Sequence, residues 1–359
     1  MLALLRNINI TFVQIGAGAA FVFFMISVII CLVLIARRVL RNRIKNNELI
    51  RKGEFESEIN KALTPEVQNA GIFKLDLKYQ PIFNEVLLKY FRILNGERSN
   101  TLKTIIKRLN IEPQIRKSTQ VGTVGRRMEA MQVLSYLDTQ SSLVSIEEGL
   151  SSTKKYIRLT AARCLIRRKA DVFIDNIVTS IDSAFPDDPK ILADILYRFG
   201  AKIAPELEAY VSMSKNDNIQ TACLEAMVLL MPPSTSLDLE RLMDSSNEHI
   251  RAATVSLSQV TSYQSTEDIL TLALADPATS VKIRAAKIAD ASKRSDTISL
   301  LYKLTQDPLL WVRYWSTLAI YNTGRQGQKL VESIARGDGS SAHMAREVVL
   351  ERSLQLGQT

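Results

Sequence analysis

The chain has two histidines, His249 and His343, and neither has a second ligand at metal-binding spacing, so no metal centre is expected. Its three cysteines, Cys31, Cys164 and Cys223, show no metal, redox or disulfide spacing. Cys164 and Cys223 fall at positions that Ala130, Ala161 and Ala226 fill elsewhere, which reads as small core fillers in a reducing compartment. Gly122-Thr123-Val124-Gly125 lacks the Lys-Ser/Thr of a phosphate loop and reads as a turn. There is no G-x-S-x-G elbow. The carboxylate pairs Asp187-Asp188 and Glu147-Glu148 fall at expected turns or exposed faces, where solvation accounts for them. These residues point away from an enzyme and imply no cofactor.

Recognition chemistry is better represented. Arg163, Arg167 and Arg198, with Lys190 nearby, recur where a helix face should look away from its packed side, and Trp311, Tyr314 and Trp315 cluster at the start of another helix. Arginine, tryptophan and tyrosine are the usual anchors of protein interfaces, so these seven are the expected partner-binding residues. The plain alternative is that the arginines form a solvated face and the aromatics pack against the last helices.

The elements that position these residues follow from a repeat. The segments opening at Ile157 (IRLTAARCL), Ile219 (IQTACLEAM), Ile250 (IRAATVSLS), Val281 (VKIRAAKIA) and Val312 (VRYWSTLAI) align on a ruler of 31 residues. Arg126 (RRMEAMQVL) and Asp188 (DPKILADIL) fall on the same ruler, the latter without its β-branched opening residue. Such a period means stacked supersecondary units, which usually present binding surfaces. Ala161, Cys164 and Leu165, and their counterparts Cys223, Ala226 and Met227, or Ala285, Ile288 and Ala289, lie at helical spacings of three and four. They form a face that can seat the first helix of each pair. First helices are expected over 237–243, 269–275 and 300–306, and 342–354 should be a capping helix.

Upstream, Ile10 to Ala36 is apolar, and no charged residue occurs from Asn7 to Ala36. At about 1.5 Å per residue this stretch can cross a hydrocarbon core about 30 Å thick, so a transmembrane helix is expected over 10–36. Arg37, Arg38, Arg41, Arg43 and Lys45 follow directly, whereas only Arg6 and the amino terminus precede. The positive-inside rule then puts residues 1–9 outside and the body in the cytoplasm, on a single-pass inner membrane protein, with these five cations at the membrane surface. The remaining neck, 37–114, is basic and helical: 37–63 ending near Pro65, then 82–94 and 101–109, with FKLDLKYQP unassigned. The basic character behind the formal charge of +9 lies in two clusters, 37–52 and 103–127. Arg51 and Lys52 extend the first cluster, and Lys103, Lys107, Arg108, Arg116, Lys117, Arg126 and Arg127 make a second, while the array beyond is slightly acidic and unsuited to nucleic acid.

Ala275-Asp276-Pro277 before SVKIRAAKIA, and Gln306-Asp307-Pro308 before WVRYWSTLAI, resemble HEAT repeats of the short kind found in phycobilisome lyases. The resemblance spans about 115–355 and implies an α-solenoid over 115–359, with an Asp in each turn and a basic residue opening each second helix. Asp276 with Lys282 and Asp307 with Arg313 match that pattern. Asp244 with Arg251 is offset by one, while Ser152 and Ser214 replace the Asp and Gln220 the basic residue. The layout is similar to bacterial membrane-anchored HEAT proteins, some of which accompany envelope polysaccharide glycosyltransferases. A membrane-tethered scaffold for a protein partner is therefore the expected function. The alternatives are a HEAT-type lyase, a glycosylase-like enzyme using Trp311, Trp315 and Asp307, or an anionic-lipid sensor using Lys103, Lys107 and Arg108.

Overall fold

The computed structural model describes residues 2–63, 76–169, 171–261, 263, 265–292 and 295–356, leaving out the side chains of residues 2–24, 77, 171, 355 and 356. Among the described residues the chain is all-α, without a strand. It divides into two compact units, Met1–Ser142 and Leu143–Thr359.

The first unit begins with α1 (Leu2–Leu63), one unbroken helix roughly 90 Å long at about 1.5 Å per residue. Four shorter helices follow: α2 (Gln80–Ile93), α3 (Gly96–Arg108), α4 (Glu112–Gln120) and α5 (Val124–Leu134). Pro81 and Pro113 open α2 and α4, where a missing N–H leaves nothing unpaired. Phe55 and Ile59 of α1 are buried against α2, with Phe55 edge-on to Phe83 at 5.2 Å between ring centroids. Phe91 stacks on Tyr136 at 4.5 Å, and Leu102, Ile106, Ile115, Met131 and Leu134 complete the core. Gly122, at φ +109°, makes the expected turn, and the Thr123 side chain caps α5 by accepting the Arg126 N–H. Gly96, at φ +60°, opens α3. α5 packs on α2 and α4 on α5, and this unit extends to Ser142.

From Met25 to Ile50, α1 is exposed except at Val28 and Glu48, which are half-buried. Met25, Ile26, Ile29, Ile30 (53% exposed), Leu32, Val33, Leu34 (57%) and Ile35 are exposed on every side of the helix. Among the described residues no helix is long and apolar enough to cross a membrane. The expected span over 10–36 begins in the portion whose side chains lie outside the described residues. The part within them, Met25 to Ala36, is roughly 18 Å of helix, short of a hydrocarbon core about 30 Å thick.

The second unit is a stack of helical hairpins. After α6 (Gln140–Glu147), which crosses the division, come α7 (Lys155–Arg167), α8 (Ile174–Ala184), α9 (Pro189–Tyr197), α10 (Ala204–Met213) and α11 (Asp217–Leu230). Then follow α12 (Leu239–Met243), α13 (Glu248–Val260), α14 (Thr266–Leu274), α15 (Thr279–Ser292), α16 (Ile298–Leu304), α17 (Leu310–Asn322), α18 (Arg325–Ala335) and α19 (Ser340–Leu356). The odd-numbered helices from α7 are the second helices of the pairs. Starts at Val124, Lys155, Asp217, Glu248, Thr279 and Leu310 keep the expected ruler. The expected first helices are α12, α14 and α16, and the capping helix is α19.

Two layers result, because each second helix buries its small-residue columns against its partner and, from α9 onward, packs sideways on the next second helix. Ala161, Cys164, Leu165, Cys223, Ala226, Met227, Ala285 and Ala289 are all buried, and Ile288 is half-buried. Burial pushes the Cys223 thiol up to about 12, so it stays protonated at neutral pH. Alkylation of Cys164 and Cys223 in the folded protein is expected to be negligible and to follow unfolding in a urea series. Rapid native labelling of Cys223 would show that the columns are not packed.

Candidate partner-binding face

The turns between paired helices are tied by a recurring device at the residue after each opening position. Arg158 Nε donates to the Ser152 carbonyl (2.5 Å), Gln220 Nε2 to Ser214 (2.9 Å), Arg251 Nη1 to Ser245 (2.7 Å) and Arg313 Nη1 to Asp307 (2.8 Å). Each carbonyl sits six residues upstream, in a turn where a backbone acceptor lacks a helical donor. Gln220 therefore keeps this role despite losing the charge.

At the same repeat position Arg158, Arg251 and Lys282 reach forward 25 residues, toward the turn of the next repeat. Arg251 forks onto Asp276 (2.7 and 2.9 Å), Lys282 meets Asp307 (2.5 Å), and Arg158 donates to Ser183 Oγ (2.8 Å). The sequence paired Asp276 with Lys282 and Asp307 with Arg313 within one repeat. The side-chain contacts run between repeats instead, because the start of one second helix lies beside the following turn. Asp276 and Asp307 also accept the Ala278 and Leu309 N–H groups, so these residues are structural.

Burial pushes both carboxyls up, but it is outweighed by Arg251 and the Ala278 N–H at Asp276, and by Lys282 and the Leu309 N–H at Asp307. Both carboxyls therefore titrate below the ordinary aspartate range. A folded value below the unfolded one gives stability that is complete above about pH 4 and is lost as pH falls through the folded value. Urea midpoints are expected to stay level down to about pH 5 and to drop below about pH 4. Asp276→Asn should lower the neutral-pH midpoint and flatten the acid limb. An unchanged acid limb would contradict the linkage.

The opposite side of the second helices carries the expected recognition residues. Arg163 and Arg198 are half-exposed and converge on Asp194: Arg198 holds both carboxylate oxygens at 3.1 Å, and Arg163 Nη2 lies 3.5 Å from Oδ2. Arg167 and Lys190 are exposed on α7 and α9. Sequence reasoning missed Asp194, although Asp194 and Arg198 have the i,i+4 spacing of a helix pair. It also missed Glu225 and Lys287, which share Arg163's place in the repeat. Glu225 accepts from Arg284 at 2.8 Å across the intervening α13, where Ser256 is buried, and Lys287 Nζ lies 4.4 Å over the Trp315 ring.

The aromatic cluster divides. Tyr314 and Trp315 pack, with Tyr321, on the core formed by Leu318, Met344 and Val348, and the Tyr314 hydroxyl donates to Glu351 (3.0 Å). Trp311 is 61% exposed and meets Tyr314 edge-on at 6.0 Å. His249 and His343 are exposed on different helices, as are Asp187 and Asp188 on the α8–α9 turn.

In the first unit, Arg37, Arg38, Arg41, Arg43 and Lys45 are all exposed along α1. Lys107 and Arg108 are exposed, whereas Lys103 pairs with Asp138 at 2.6 Å. A trough of about 460 Å³ lies along α2, with Leu88 in its lining and the pairs Lys52–Glu85 (2.6 Å) and Lys89–Glu56 (2.7 Å) at its edge toward α1. On its α5 side, burial and the Glu85 charge hold the Glu129 carboxyl above the ordinary range. No sequence motif marks this trough.

No protein-family model matches the chain, and no curated protein matches it.

Proposed function

We propose that the protein is a membrane-tethered adaptor: an α-solenoid of short HEAT-type repeats, carried on one apolar helix, that holds a protein partner through the outward face of its second helices. One observation carries the tether. The part of α1 from Met25 to Ile35 is apolar on every side and uncovered by the rest of the chain, a pattern stable in lipid and unfavourable in water. The apolar run preceding it in the sequence and the exposed cations from Arg37 to Lys45 support a single span over 10–36 with the array in the cytoplasm. Tethering raises the effective concentration of a membrane-associated partner, so the contact itself need not be tight.

The binding role draws on the outward face, where charged and aromatic side chains reach from one second helix to the next, and on the absence from the sequence of a catalytic constellation. A photo-crosslinking residue at position 163 or 198, activated in intact membranes, is expected to capture one membrane-associated protein. A residue at exposed Lys303, on the first-helix layer, should not capture it. Equal capture from both positions, or none from either, would contradict the adaptor.

A further inference from the structure

Second helices in the array pack side by side at every step from α9 to α19, but α7 and α9 lack that packed seam. The cause lies in the sequence. Pro189 opens α9 and disfavours helical backbone in the residue before it, so Asp188, which the ruler places inside the helix, becomes its N-cap. The first turn of α9 is lost, and with it the surface that would lie along α7.

What joins the two helices on their outward side is a loose ionic contact. Asp194 is shared by two guanidiniums: Arg198 takes both oxygens in a fork, and Arg163 reaches one at 3.5 Å, beyond the usual 2.7–3.2 Å of a hydrogen bond. Exposed Arg167 lies one turn beyond Arg163, and exposed Lys190 lies on the first turn of α9. Two half-exposed guanidiniums thus share one carboxylate at this seam, in an array that is otherwise slightly acidic.

We propose that the α7–α9 seam is the docking site for an acidic segment of the protein partner, whose carboxylates bind Arg163 and Arg198 in competition with Asp194. This rests on the adaptor reading and names the partner's chemistry. Both arginines are already half-exposed, so an incoming carboxylate has little to desolvate and gains a planar fork on each. Asp194 acts as a resident competitor, so its removal should strengthen binding. A merely solvated arginine face has no such signature.

The test uses the full chain in lipid nanodiscs and a fluorescein-labelled decaglutamate peptide, read by anisotropy at low salt and at about 0.15 M. The peptide is expected to bind at low salt and to weaken with added salt. Arg163→Glu with Arg198→Glu should weaken binding about tenfold or more, and Asp194→Asn should tighten it about threefold to tenfold. Lys303→Glu, the same charge change per residue on an exposed first-helix site, should leave it unchanged. Binding that Asp194→Asn does not tighten, or that the double arginine variant does not weaken, overturns the proposal. So does partner crosslinking that survives the double variant, which leaves the adaptor standing. Peptide binding with the expected variant pattern but no captured partner upholds the seam and removes the adaptor.

Discussion

Arg251→Ala is expected to destabilise the array by about 3 kcal/mol, the lower end of what breaking a buried ion pair costs. The guanidinium and its partner Asp276 are 12% and 6% exposed at the side chain, so the variant leaves a carboxylate with little water to replace the fork. It also strips the Ser245 carbonyl of its donor, loosening the turn after α12. The full effect exceeds that of an exposed pair because one side chain ties two successive turns. Adding Asp276→Ala should recover part of the loss, since the stranded charge goes with it. Urea unfolding of the single and double variants measures both. A loss under about 1 kcal/mol would place the pair among ordinary surface salt bridges.

Gly327→Ala is expected to be at least as damaging. Gly327 lies in the first turn of α18, and a Cβ there would fall 1.9 Å from the Ile320 carbonyl oxygen and 2.3 Å from Thr323 Oγ1. Those two atoms are hydrogen-bonded to each other at 2.7 Å at the end of α17, so the methyl group would land on a fixed backbone contact. Relief requires α18 to back away from α17, uncovering Val331 and the core that α19 closes. Overpacking of this kind costs about 1–3 kcal/mol, and more where backbone cannot yield. The C-terminal hairpin should therefore lose hydrogen-exchange protection before the rest of the array. Gly125→Ala, whose Cβ meets nothing within 4 Å, is the matched control and should be near neutral. Equal stability of the two variants would contradict the close approach of α17 and α18.

The helical architecture was legible because packing imposes small residues at fixed intervals: Ala161, Cys223 and Ala285 recur on the ruler for the reason that makes them buried. The irregularity was legible only as a missing opening residue at Asp188. That it separates two helices depends on Pro189 and on the three-dimensional stack. The charge ladder was half legible. Residue types identified Asp276, Asp307, Arg251 and Lys282, but a ruler compares positions within repeats, whereas these contacts cross between them. Arg163 and Arg198 converge on one carboxylate, Asp194, which comes from the following second helix at Arg163's own place in the repeat, 31 residues on, so a search of that column for arginines passed over it. Trp311, Tyr314 and Trp315 read alike in sequence. The last hairpin separates them, covering two and leaving one exposed. The neck trough escaped notice because most of its residues come from α1 and α2, helices outside the repeat, and only Glu129 and Gln132 come from α5.

The account turns on α1 holding the array at the cytoplasmic face of a membrane. Protease protection of the epitope-tagged chain, in right-side-out spheroplasts and in inverted vesicles washed with alkaline carbonate, tests this most directly. The chain should remain in the carbonate-washed pellet, with residues beyond the Arg37–Lys45 cluster digested only in inverted vesicles. Release of the intact chain by carbonate, or digestion of the array from outside, would contradict it.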